Sequence, residues 1–168
     1  MFNIGDKVAY PMHGAGIIEA IEEQEVLGEK REYYIMKMPI GDLKVMIPIR
    51  SVKEIGLRQI VDDDGLGKVF EILKGESTKM STNWNRRYRA NMEKIKSGDI
   101  FEVAEVVRNL SLREREKGLS TGERKMLENS RQILISEIVL AKSINEEEAT
   151  DIIAKLLDQA EENHVATG

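Results

Sequence analysis

Tyr33-Tyr34-Ile35-Met36-Lys37-Met38 and Leu43-Lys44-Val45-Met46-Ile47-Pro48 are two short apolar-rich runs on either side of Gly41-Asp42. Aromatic and β-branched residues suit a pleated, half-buried surface, and a Gly-Asp pair supplies the backbone freedom of a tight reversal. The stretch therefore reads as strand, turn, strand. Working outward, Gly5-Asp6-Lys7-Val8-Ala9-Tyr10-Pro11 reads as a strand stopped by proline. Gly14-Ala15-Gly16-Ile17-Ile18-Glu19-Ala20-Ile21-Glu22 reads as a second strand, entered through a glycine turn and followed by a turn at Gly28. Ser51-Val52-Lys53-Glu54-Ile55-Gly56 could be a fifth short strand. Four or five short antiparallel strands predict a small, strongly bent sheet or barrel. A unit of this size has little core and is expected to lean on its neighbour.

Beyond residue 60 the apolar spacing becomes helical. Leu66, Val69, Phe70 and Leu73 form one stripe, and Trp84, Tyr88, Asn91 and Ile95 share a face with Met92 at its margin. Ile100-Phe101, Val103-Ala104, Val106-Val107 and Leu110 mark a third helix. Ser120-Thr121-Gly122-Glu123 is the pattern of a capping box, in which serine and glutamate satisfy each other's free backbone amides, and it opens a long helix through Leu140. Asn145-Glu146-Glu147-Glu148 opens the last, with acids at its positive end. The reading is a two-domain α+β protein. Residues 1–60 form a small antiparallel sheet or barrel of the Tudor or SH3 type. Residues 61–168 form an all-α bundle of about five helices, with a flexible tail from about residue 161.

Hydrophobic residues are 41% of the chain, enough for a packed core. The apolar runs are too short to span a membrane, and the start of the chain has neither the basic nor the long apolar region of a signal peptide. The absence of cysteine excludes disulfides and thiolate chemistry and fits a cytoplasmic protein. No catalytic group assembles. His13 sits in a glycine-rich turn and His164 in the tail, Gly14-Ala15-Gly16 lacks the third glycine of a dinucleotide loop, and Gly67-Lys68 lacks the partners of a phosphate loop. Asp62-Asp63-Asp64 reads as a solvated helix start. The expectation is a protein that is not an enzyme, with no cofactor, no metal and no small-molecule substrate.

Net charge is −5, unevenly distributed. Residues 75–96 hold six Lys/Arg against two acids, and residues 129–168 hold three against eight. The sole tryptophan lies in the basic stretch Ser81-Thr82-Asn83-Trp84-Asn85-Arg86-Arg87-Tyr88-Arg89. Guanidinium groups neutralise phosphate, and an indole stacks on a base or wedges into a groove. At about 100° per residue Trp84 and Tyr88 point one way, Arg86 and Arg89 nearly opposite, and Arg87 between. If Tyr88, Met92 and Ile95 pack inward, Trp84 sits half exposed at the rim. A core tryptophan on a helix with a solvated arginine face would leave the same pattern. Arg124 and Lys125 form a second basic cluster just inside the capped helix.

These residues together resemble the CarD/CdnL family of bacterial transcription regulators from Phe2 to about Leu157. The resemblance is carried by Gly5-Asp6-Lys7-Val8-Ala9-Tyr10-Pro11 with His13-Gly14, Gly41-Asp42-Leu43 with Val45-Met46-Ile47-Pro48, and Thr82-Asn83-Trp84-Asn85-Arg86-Arg87-Tyr88-Arg89. Val103-Ala104-Glu105-Val106-Val107-Arg108-Asn109-Leu110, Leu119-Ser120 with Gly122-Glu123-Arg124-Lys125-Met126-Leu127, and Arg131-Gln132-Ile133-Leu134 extend it in order. It implies a Tudor-like N-terminal domain that binds the β subunit of RNA polymerase, with Gln24, Val26 and Met46 at the family's contact positions. Some members carry arginine at the equivalents of Gln24 and Met46, so strand pairing and apolar packing are the binding contributions expected here. It also implies a helical domain that contacts promoter DNA beside the upstream edge of the −10 element. There Trp84 would act as a minor-groove wedge holding the transcription bubble open, with Arg86, Arg87 and Arg89 around it; apart from the resemblance, the position of Arg124 and Lys125 suits either contact with the same phosphates or a solvated helix face. A monomer is expected. The competing readings are a general nucleic-acid-binding module and a protein–protein adaptor with Trp84 buried.

Overall fold

The structure, a computed structural model, describes the backbone of residues 1–167 and the side chains of residues 1–163. Five strands, β1 (Lys7–Tyr10), β2 (Gly14–Val26), β3 (Glu29–Lys37), β4 (Lys44–Pro48) and β5 (Arg58–Gln59), form one antiparallel sheet in the order β4-β3-β2-β1-β5. The register of β2 against β3 shifts between Ile18 and Ala20, the kind of bulge that bends a strand. One side of the sheet closes over Val8, Ile18, Tyr34, Met36, Met38, Ile47 and Leu57.

The candidate fifth strand at residues 51–56 is instead helical. A 3-10 turn (Ile49–Ser51) runs into a single helical turn, α1 (Val52–Ile55). Gly56 ends it at φ 83°, where its amide bonds back to the Val52 carbonyl. The fifth strand is Arg58–Gln59, beyond that cap.

Helices α2 (Asp63–Lys74), α3 (Trp84–Lys96), α4 (Ile100–Lys117), α5 (Thr121–Lys142) and α6 (Glu146–Thr167) form the bundle. Its core runs through Leu66, Val69, Leu73, Ile95, Val103, Val107, Leu110, Leu127, Leu134, Ile138 and Ile153. Asp62 caps α2 by accepting from the Gly65 amide at 2.8 Å, which accounts for the acidic run there. Asn145 and Glu148 exchange side-chain bonds with each other's amides ahead of α6. The tail expected to be flexible from about residue 161 is helical at Glu161, Glu162 and Asn163. The His164 side chain lies outside the described residues.

Sheet and bundle meet along α5 and β2. Gly14 has φ +104°, and a β-carbon there would stand 2.7 Å from Ser136 Oγ, so only glycine lets the strand approach the helix this closely. Ser136 Oγ accepts from the Ala15 amide at 2.9 Å and donates to the Ile133 carbonyl at 2.6 Å. Arg58 donates through both terminal nitrogens to the buried Glu137 carboxylate at 2.9 Å each, and its Nε donates to the Gly98 carbonyl at 2.9 Å. The Val61 amide adds a third bond to Glu137 at 2.9 Å. Lys7 Nζ reaches the Leu140 carbonyl at 3.0 Å. These bonds lock the sheet to the helices on which the aromatic–basic stretch is mounted.

Candidate functional site

Trp84 is the first residue of α3, and its carrier helix starts where it does because Asn83 accepts from the Arg86 amide at 3.0 Å. The α3 start lies beside the α5 start. Two contacts join them: Trp84 Nε1 donates to Ser120 Oγ at 2.9 Å, and Arg87 grips Glu123 through Nε at 2.7 Å and Nη2 at 3.0 Å. The indole stacks on Tyr88, with centroids 5.0 Å apart and planes 19° from parallel. Its benzo edge lies over Gly122. One face is thus covered, and the residue is 41% exposed. Trp84 sits at the rim, as the helical spacing allowed, and a wholly buried ring is excluded.

Arg87 corrects the expectation of a phosphate contact. It is only 4% exposed, and Glu123 only 1%. Besides its two bonds to Glu123, Arg87 donates to the Ser81 carbonyl at 3.1 Å and the Thr82 carbonyl at 3.4 Å, leaving its guanidinium no free side for DNA. The stripe of α3 that enters the core is Arg87, Asn91 and Ile95, rotated towards Arg87 from the face expected. Burial of an arginine on a helix of this composition is possible because a bidentate carboxylate and two carbonyls replace its water. The hydrogen bonds to Arg87 hold the Glu123 carboxyl below the usual carboxylate range, against the opposing effect of burial. The same bonds push the Arg87 guanidinium further up.

Ser120 caps α5 by accepting from the Glu123 amide at 3.2 Å. The return half of the expected capping box is absent, because the Glu123 carboxylate is held by Arg87, a stronger charge-assisted partner than an amide. Arg86, Arg89 and Lys125 are exposed. Arg124 is exposed too, with Glu114 at 3.8 Å and the Leu119 carbonyl at 3.4 Å. Four exposed cations therefore lie within the first two turns of the paired helices, whose own dipoles add positive charge at their starts. Ser120, Gly122 and Glu123 were missed as contributors to this site, whereas Tyr88 was read on the Trp84 side of the helix. The capping signal at 120–123 was visible, but its neighbour Trp84 is 36 residues away.

On the sheet, the strand registers Gln24↔Arg31, Val26↔Glu29 and Met46↔Ile35 bring the three expected contact residues onto one face. Val26 is 37% and Met46 49% exposed, and Gln24 is exposed too. β3 extends past the end of β4, so Glu29–Glu32 has no strand on that side. A cleft of about 430 Å³ opens there, lined by Glu29–Glu32, Pro48, Ile49 and Arg50. Among the described residues, no His, Cys, Asp and Glu cluster suits a metal and no helix is long and apolar enough to cross a membrane.

The chain is thus an open-edged antiparallel sheet locked to a helical bundle that displays a half-exposed indole at two paired helix starts. The amino-acid sequence matches the family descriptions "CarD-like/TRCF RID domain" over residues 2–61 and "CarD, C-terminal domain" over residues 68–154. The chain belongs to the CarD family, a transcription-factor family. It is 46% identical over 149 residues to a protein of Bacillus subtilis (strain 168) named "Putative transcription factor YdeB", covering 88% of this chain and 97% of that one. It is also similar to the solution NMR structure of the 72-residue N-terminal domain of Myxococcus xanthus CarD. That match is 34% identical, with a TM-score of 0.31, and covers 35% of this chain and 79% of that one.

Proposed function

We propose that this protein binds the β subunit of RNA polymerase through residues 1–60 and promoter DNA through residues 61–168, and stabilises the open complex with Trp84 as a minor-groove wedge. The observation that carries the reading is the indole itself. It is large and apolar, open on one face, and shares the first two turns of two paired helices with the exposed Arg86, Arg89, Arg124 and Lys125. Those cations suit the phosphates beside the upstream edge of the −10 element, and the ring suits a base step being opened. On the other domain, the unpaired backbone of Glu29–Glu32 and the outer edge of β4 suit a strand of the partner, with Gln24, Val26 and Met46 packing beside it.

A chain of net charge −5 binds DNA weakly alone. Tethering by polymerase raises its effective concentration at the promoter, so a weak second contact suffices. The protein acts as a cytoplasmic monomer and favours the open over the closed complex by its difference in affinity for the two. A preference of about 1.4 kcal/mol shifts that ratio tenfold. The test is the lifetime of open complexes formed with purified polymerase. Trp84→Ala shortens it while leaving thermal unfolding and polymerase binding intact. An unchanged lifetime with a correctly folded variant would remove the wedge.

A further inference from the structure

We infer that Ser120 is the positioning residue of Trp84: its hydroxyl fixes the indole in one orientation before any DNA arrives. The inference rests on the wedge reading for its consequence at a promoter, but the tether itself is a property of the free protein.

The Ser120 oxygen is fully used. It accepts from Trp84 Nε1 at 2.9 Å and from the Glu123 amide at 3.2 Å, and it donates to Glu123 Oε1 at 3.4 Å. A hydroxyl has one proton and two lone pairs, so no capacity is left over. The carboxylate that accepts its hydrogen bond is anchored by Arg87, which orients the hydroxyl and its lone pairs. Tyr88 supports the ring from one face and Gly122 leaves room beneath its benzo edge. An exposed indole at a helix start would otherwise sample several rotamers. Insertion between base steps freezes one of them, and a ring already held there loses less freedom on binding. Ser120 thus caps a helix and aims a side chain carried by another helix.

Glycine is nearly as good an N-cap as serine and suits the extended backbone at residue 120 (φ −62°, ψ 163°), so Ser120→Gly removes the hydroxyl while sparing the helix start. Ser120→Thr keeps the hydroxyl. The chain has one tryptophan, so its fluorescence reports this ring without labelling. Time-resolved anisotropy of the full-length protein, without DNA, is expected to show a larger fast component in Ser120→Gly and the parent decay in Ser120→Thr. With polymerase and promoter, Ser120→Gly shortens the open-complex lifetime by about threefold to tenfold, the range expected for freezing one side chain, and Ser120→Thr restores it. An unchanged anisotropy decay in a folded Ser120→Gly overturns the inference. So does a loosened ring whose promoter lifetime stays at the parent value while Trp84→Ala shortens it. A lifetime indifferent to Trp84→Ala would sink the wedge reading instead, and the DNA-free anisotropy would still decide whether Ser120 holds the ring.

Discussion

Replacing Arg87 with alanine leaves the Glu123 carboxylate buried between α3 and α5 without its ion-pair partner. Breaking a buried pair from one side costs about 3 kcal/mol or more, roughly 6–12 °C in Tm for a chain of this size. Arg87→Ala therefore lowers Tm by that amount, whereas Arg86→Glu and Arg89→Glu leave Tm near the parent value and weaken promoter contact alone; thermal melts beside a promoter-binding assay separate the two classes. The pair also carries an acid dependence of known sign. The Glu123 carboxyl titrates below its ordinary value of 4.5 when folded, so the folded state binds fewer protons there. Its contribution is complete above the unfolded value and is lost as pH falls through the lower, folded one. In urea unfolding from pH 6 to pH 3, the stability gap between the parent protein and Glu123→Gln narrows as pH drops below about 4.5.

At the scale of elements, β2 and β3 reach beyond the rest of the sheet, and every residue from Ile21 to Lys30 is exposed. This arm gains little from core burial, so a surface substitution on it changes binding without changing the fold. Met46→Asp puts a charge on the face shared by Gln24 and Val26. It is expected to weaken binding to a β-subunit fragment while leaving the unfolding free energy within about 1 kcal/mol of the parent, with a pull-down and a denaturant melt as the checks. The strands were legible because alternation and glycine turns are local signals. The segment Ser51–Gly56 was not, because Val52 and Ile55 suit a strand or a single helical turn equally, and the left-handed Gly56 cap decides between them.

For the whole molecule, the determining feature is the rigid seam between sheet and bundle. Glu137 holds both Arg58 and the Val61 amide, so Glu137→Ala strands a partly buried guanidinium and an amide together. A loss of about 2–4 kcal/mol is expected, with faster hydrogen exchange along β5 and the α5 segment facing β2 as the local signature. A tether that held both ends of the protein loosely would dissipate the effective concentration that the proposed mechanism relies on.

The amino-acid sequence by itself determined the element types outside residues 51–56, the change from strand to helix near residue 60, the caps at Asp62, Ser120 and Asn145, and the location of the sole indole in a basic stretch. All of these depend on residues within one or two turns of each other. Tertiary structure alone decided that Arg87 faces Glu123 and not solvent, that Ser120 meets Trp84, and which strand register sets Met46 beside Gln24 and Val26. Each depends on which elements lie side by side. A helical stripe can be read from spacing, but the partner that neutralises a buried charge is chosen by packing between segments far apart in the chain.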